Sequence, residues 1–115
     1  MAGAVTNYHQ IVQDLLTTYS QIPYLQADLK DETIFDQLAG RYMLVTVGWQ
    51  GRKRINTIVL HLDVVDDQVI IQCNNTDQDI RQELIASGIP APAIVRPQPR
   101  AVDVEHETLT TMALA

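Results

Sequence analysis

Apolar residues recur every three or four positions along the first twenty residues of the chain. They are Val5, Tyr8, Ile11, Val12, Leu15, Leu16 and Tyr19. This spacing places them on one face of an α-helix. Thr6 or Asn7 is suited to cap the start of that helix, and Pro23 stops it shortly after Ser20. The pattern therefore predicts an N-terminal helix with one buried face.

β-Branched and aromatic residues then dominate, in short runs separated by turn residues. The runs span residues 41–49, 54–65 and 68–73, and a weaker candidate at 32–38 precedes them. Gln50-Gly51 and Asp66-Asp67 fall between consecutive runs, where reversals of the chain are needed. Runs of this composition and spacing predict a meander of about four antiparallel strands.

A second helix is predicted from Thr76 to Gly88. Its buried stripe consists of Ile80, Leu84 and Ile85. Thr76 can cap the first turn, and Asp79 stands three residues later in the reciprocal position of a capping box. Gly88 suits the left-handed position that follows many helices. The helix is thus marked at both ends by the sequence.

Prolines at positions 90, 92, 97 and 99 predict an extended, irregular connection after the second helix. Further on, Thr108–Met112 is a candidate for a final strand. At 115 residues the chain has the usual length of one domain. We therefore predict a single α+β domain that spans residues 1–115.

Both faces of the predicted sheet carry apolar side chains. In the strand at 54–65, alternation assigns Ile58, Leu60, Leu62 and Val64 to the core face. The opposite face is assigned a second set, Val47, Trp49, Ile55, Val59, His61 and Ile70. Two helices cover both faces of such a sheet poorly, and a second apolar face is typical of protein–protein contacts. We therefore predict that this set forms a homodimer or partner interface.

The formal net charge of −6 argues against tight binding to DNA by this chain alone. An acidic surface is repelled by phosphates, and affinity for DNA depends on cations that displace counterions. Arg52, Lys53 and Arg54 form a basic cluster on a predicted hairpin, where they could contact one or two phosphates. A solvated turn that keeps a sheet edge soluble is the favoured interpretation, and DNA contact by these three residues is the alternative.

His61 and Asp63 are the most suggestive candidates for chemistry, because residues two apart on a strand share a face. An imidazole beside a carboxylate could bind a metal ion or form an acid–base pair, but no spacing supplies a further ligand. Cys73 is the single cysteine, which excludes an internal disulfide. We expect no catalytic residues, no bound metal and no cofactor.

The N-terminus lacks a basic segment followed by a long apolar run, and no stretch of about 18 apolar residues occurs. We therefore expect a cytoplasmic protein without membrane association.

Several short segments occur in a fixed order: Val47-Gly48-Trp49, Leu60-His61-Leu62-Asp63, Ile71-Gln72, Thr76-Asp77 and Gly88-Ile89-Pro90. In that order they resemble the XisI family, the controlling factors for excision of the fdxN DNA element in cyanobacteria. The opening helix and the closing Ala113-Leu114-Ala115 are also similar to the family. Departures are also visible: Asp66-Asp67 replaces an Asn-Gly turn, residues 69–71 lack the usual aromatic residue, Thr76-Asp77 replaces a Thr-Glu pair, and residues 96–107 match poorly.

This resemblance implies a non-enzymatic accessory protein that acts beside a recombinase and a companion protein, XisH, which is similar to a nuclease. It supplies no catalytic residues. The function that it implies is control of programmed DNA excision through protein–protein contact with an XisH-like partner. A DNA-binding directionality factor is the alternative, and a metal-dependent enzyme that uses His61 and Asp63 comes third.

Overall fold

The computed structural model describes residues 3–25 and 28–97, with side chains from residue 8 onward. The elements in chain order are helix α1 (Gly3–Ser20), strands β1 (Leu29–Asp36), β2 (Arg41–Gln50), β3 (Lys53–Val65) and β4 (Gln68–Asn74), helix α2 (Ile80–Ala86), a 3₁₀ turn (Ala91–Ala93) and strand β5 (Ile94–Val95). The fold is α+β, which confirms the predicted class. The predicted final strand at Thr108–Met112 lies outside the described residues.

The five strands form one mixed sheet in the order β1-β2-β3-β4-β5. The first four pair antiparallel with their neighbours, as the predicted meander requires. β5 instead runs parallel to β4, and it pairs only through Ile94 and Val95. This strand was not predicted, because two apolar residues between prolines are too short to show a period.

One hydrophobic core lies between the two helices and one face of the sheet. α1 contributes Tyr8, Val12 and Leu16; the sheet contributes Tyr42, Leu44, Leu60, Leu62, Val64, Val69 and Ile94; α2 and its end contribute Ile80, Leu84 and Ile89. Each fully buried aliphatic or aromatic side chain stabilises the fold by roughly 1.5–3 kcal/mol relative to its exposed state. The apolar stripes predicted for both helices therefore face this core, apart from Val5, which lies outside the described side chains.

The helix starts differ from the predictions. α1 begins at Gly3, so Thr6 and Asn7 lie inside the helix and the prediction that one of them caps it was wrong. α2 begins at Ile80 with Asp79 as its N-cap, and the Asp79 carboxylate accepts a hydrogen bond from the Gln82 amide at 3.1 Å. Thr76 was therefore also wrongly predicted as a cap; its hydroxyl accepts a bond from the Gln78 amide at 3.1 Å, in a turn before the helix.

The C-terminal end of α2 agrees with the prediction from the sequence. The Ile89 amide donates to the Leu84 carbonyl at 3.1 Å, and the Gly88 amide donates to the Ile85 carbonyl at 3.0 Å. These two bonds are those of a Schellman motif, in which the residue at the Gly88 position has a positive φ; the value here is +113°. Ile89 and Leu84 are both buried in the core, which supplies the apolar contact that accompanies this motif.

The segment before β1 is held against the end of β2. The Trp49 amide donates to the Asp28 carbonyl at 3.0 Å. A side chain on Gly48 would overlap that carbonyl oxygen, and the Gly48 φ of +145° is one that other residues rarely adopt. Nearby, the Tyr24 and Thr46 hydroxyls both donate to Asp31, at 2.8 and 2.6 Å. Glycine is therefore required at position 48, where the backbone of Asp28 lies against β2.

A polar contact joins α1 to α2: the Tyr19 hydroxyl donates to the Glu83 carboxylate at 2.5 Å. Burial, followed by the bond to Glu83 and its negative charge, raises the pKa of Tyr19 above the ordinary value for tyrosine. The neutral phenol is thus the form that the folded state favours.

Stability should consequently fall at alkaline pH. The unfolded chain loses the Tyr19 proton near pH 10, while the folded chain retains it, so the stabilisation is complete below about pH 10 and declines above it. We expect Tyr19→Phe to cost about 1 kcal/mol at neutral pH and to flatten the decline between about pH 9 and about pH 11. Urea unfolding of both chains at neutral pH, at about pH 9 and at about pH 11 measures both effects. An equally steep decline in Tyr19→Phe would assign it to Tyr24 and Tyr42, whose pKa values burial also raises.

Candidate protein-interaction face

A β-bulge in β3 decides which of its residues face the core. Leu44 of β2 pairs with Leu60, whereas its neighbour Val45 pairs with Ile58, so Val59 is an extra residue in β3. Side chains before the bulge are therefore turned over relative to simple alternation. Val59 packs against the core, and Ile58 is 39% exposed on the other face.

Because of the bulge, three residues lie on the opposite face of the sheet from the one predicted. Ile58 was wrongly assigned to the core face. Ile55 and Val59 were wrongly assigned to the opposite face: Ile55 pairs with Gly48, which lies on the helix side of β2, and Val59 contacts the core. The assignments of Leu60, Leu62 and Val64 to the core were right, because these residues follow the bulge.

The face of the sheet away from both helices is called the open face below. Strand pairing and alternation assign to it Ile34, Met43, Val45, Val47, Trp49, Ile58, His61, Asp63, Val65 and Ile70. Ile34 and Trp49 are each 48% exposed, and Val65 is 46% exposed. Side chains of this size are normally covered when they occur together on one face.

Four of the six predicted interface residues lie on this face: Val47, Trp49, His61 and Ile70. Sequence reasoning missed two of its exposed isoleucines. Ile34 lies in β1, whose predicted strand was weak and began three residues late, and Ile58 was hidden by the bulge. Neighbouring residues of a strand point to opposite faces. Because Phe35 packs against the core, Ile34 had to lie on the other face, and this alternation was the signal that could have found it.

His61, Asp63 and Gln72 form a polar network on the open face. The His61 Nε2 atom donates to one oxygen of the Asp63 carboxylate at 2.8 Å, and Gln72 donates to the other oxygen at 3.1 Å. Asp63 is only 8% exposed. Because both carboxylate oxygens already have partners, the predicted pair is brought together as a structural contact.

The described residues hold no group of three His, Cys, Asp or Glu side chains placed to bind a metal ion. Cys73 is half-buried, and its sulfur accepts a hydrogen bond from Asn75 at 3.3 Å. It lines a cleft of about 450 Å³ beside β4 together with Arg81 and Arg96. Arg81 donates to the Ala91 carbonyl at 3.3 Å, so it supports the turn before β5. This cleft lacks an arranged nucleophile and base.

The basic cluster occupies the turn between β2 and β3 and the start of β3. Arg52, Lys53 and Arg54 are all exposed. The Arg54 guanidinium lies 5.2 Å from the centre of the Trp49 ring and donates to the Gly48 carbonyl at 3.3 Å. Arg54 therefore packs against the end of β2. Among the described contacts, Arg52 and Lys53 make no similar one.

Neither helix of the described segments has the length and apolar character needed to cross a membrane.

In the described part of the chain, two helices on one side of a five-stranded sheet define a small α+β protein, whose other sheet face is apolar and carries a His–Asp–Gln network. The XisI protein family matches residues 2–101, and the chain belongs to that family. The predicted resemblance is thus confirmed.

Two solved structures from Anabaena variabilis are similar to this chain. One is a XisI-like protein, with 33% identity, a TM-score of 0.76 and coverage of 83% of this chain and 89% of its own. The other is the fdxN element excision controlling factor XisI, with 27% identity, a TM-score of 0.67 and coverage of 80% and 89%. A search of curated proteins found no match.

Proposed function

We propose that this protein is a cytoplasmic, non-enzymatic controlling factor for excision of a DNA element, and that it acts by binding an XisH-like companion protein. Membership of the XisI family and similarity to an excision controlling factor support the role. The net charge of −6 supports contact with protein rather than with DNA.

The observation that carries the contact mechanism is the open face. Both helices pack on the other side of the sheet, while Ile34, Trp49 and Ile58 expose 39–48% of their surface on this side. Covering apolar area of this kind contributes about 25 cal/mol per Å². A partner that lies on the open face would therefore gain its affinity largely from residues that the described elements leave uncovered.

The polar centre of the open face suits such a contact. A buried donor or acceptor without a partner costs about 1–3 kcal/mol. The Asp63 carboxylate is already satisfied by His61 and Gln72, so covering it leaves neither of its oxygens unpaired. Asp63, which is only 8% exposed, can thus be covered by a partner without losing a hydrogen bond.

Co-purification with an XisH-like protein tests the proposal. We expect the wild-type chain to retain the companion and Ile58→Glu to lose at least roughly tenfold in affinity, since one charge would be buried in the contact. Leu25→Glu is the matched control, because Leu25 is fully exposed outside the sheet, in the segment that follows α1. It should bind like the wild type. Absence of binding by the wild-type chain, or equal binding by Ile58→Glu, would contradict the proposal.

A further inference from the structure

Charge is distributed unequally along β3. This strand starts at Lys53 and Arg54, directly after Arg52, and it ends at Val65, directly before Asp66 and Asp67. Its 13 residues span roughly 40 Å at about 3.3 Å per residue. The turn at one end of the open face is therefore basic, and the turn at the other end is acidic.

Most other charges on the open face have a neighbour of opposite charge, and Asp63, near the acidic turn, lies across from Arg41, which also neighbours Asp36. Lys30 and Glu32 of β1 form an ion pair at 3.0 Å. Asp36 and Arg41 are direct neighbours across β1 and β2, and they have opposite charges. The remaining contrast is between the two turns, with exposed apolar side chains between them.

We infer that the open face binds a second copy of this chain, across a two-fold axis that passes over the middle of β3 and sets the two β3 strands antiparallel. In this arrangement the basic turn of each copy lies over the acidic turn of the other. Ile58 is next to the middle residue of β3, so the two Ile58 side chains meet near the axis. A two-fold contact requires one surface that complements itself, and this charge distribution does so in the antiparallel orientation alone.

The inference deepens the proposed function by naming an occupant of the same surface. An XisH-like protein bound to the open face would replace the second copy, so that the dimer and the complex with the companion exclude each other.

Light scattering coupled to size-exclusion chromatography of the full chain tests the dimer without any companion protein. We expect a dimer that weakens as salt rises. Ile58→Glu should shift it to monomer, because two carboxylates would face each other at the axis, and Leu25→Glu should leave it unchanged. Urea unfolding of both variants controls for loss of fold.

Charge reversal tests the orientation. The basic-turn variant is Arg52→Glu/Lys53→Glu, and the acidic-turn variant is Asp66→Asn/Asp67→Lys, in which asparagine tolerates the Asp66 φ of +55°. Each variant alone should weaken its dimer at least roughly tenfold, since like charges would meet at both ends. An equimolar mixture should restore a heterodimer.

A monomeric wild type at all concentrations, or a dimer that Ile58→Glu leaves intact, would overturn the inference. A dimer that neither turn variant affects would overturn the antiparallel orientation and with it the inference. Capture of the companion by a monomeric wild type would leave the proposed function standing, so the two failures are distinguishable.

Discussion

Gly48→Ala is expected to destabilise the fold by more than about 3 kcal/mol. The new methyl group would overlap the carbonyl oxygen of Asp28, which is backbone and cannot rotate away. Alanine, unlike glycine, is also strained at the φ of +145° that this position requires. We expect a large drop in the urea midpoint, and loss of the hydrogen bond from the Trp49 amide to Asp28 as faster amide exchange at Trp49.

Gly51→Ala is the matched control, because Gly51 also has a positive φ, +63°, but no atom lies within 4 Å of the position that its side chain would occupy. It should cost only about 1–2 kcal/mol, the penalty of the left-handed conformation itself. Equal losses in the two variants would show that the approach of residue 28 to β2 adds nothing to stability.

Val59→Glu is expected to cost about 2–3 kcal/mol, whereas Ile58→Glu should change the stability of the monomeric chain by less than about 1 kcal/mol. Val59 packs against the core, so its replacement places a carboxylate against apolar neighbours. Ile58 is 39% exposed on the open face, where water can solvate a charge. Urea unfolding of the two variants measures the difference.

Simple alternation along β3 requires the opposite order of effects, with Ile58→Glu as the damaging change. This pair of adjacent positions therefore tests the bulge directly. Leu60→Glu, on the core side after the bulge, serves as the control that must unfold the protein under either arrangement. Tolerance of Val59→Glu together with unfolding of Ile58→Glu would place the bulge elsewhere.

Much of the fold is predictable because local patterns carry it. The stripe that includes Val12 and Leu16 repeats at helical spacing, and these residues pack as that spacing requires. The turn chemistry at Gly88 and Pro90 marks the end of α2 within a residue or two. These features depend on neighbours in the chain, so the sequence shows them directly.

The residues of the open face were predicted in part. Val47, Trp49, His61 and Ile70 were placed on the side where they lie, because β2 and the end of β3 alternate regularly. Ile55, Val59 and Ile58 were misplaced, because a bulge changes the face of several residues without changing their composition. The Gln72 partner of Asp63 was also missed, since contacts between strands do not appear in a linear pattern.

The sequence by itself determined the class of the protein, the helix stripes, the run of antiparallel strands and the family resemblance, because each follows from residues close together in the chain. The tertiary structure decided which apolar residues of β3 are buried, that β5 pairs with β4, and that both described helices pack on one side of the sheet. These outcomes depend on how the strands pair and on which face of the sheet the helices pack. The open face exists because the described helices cover only one of two apolar surfaces.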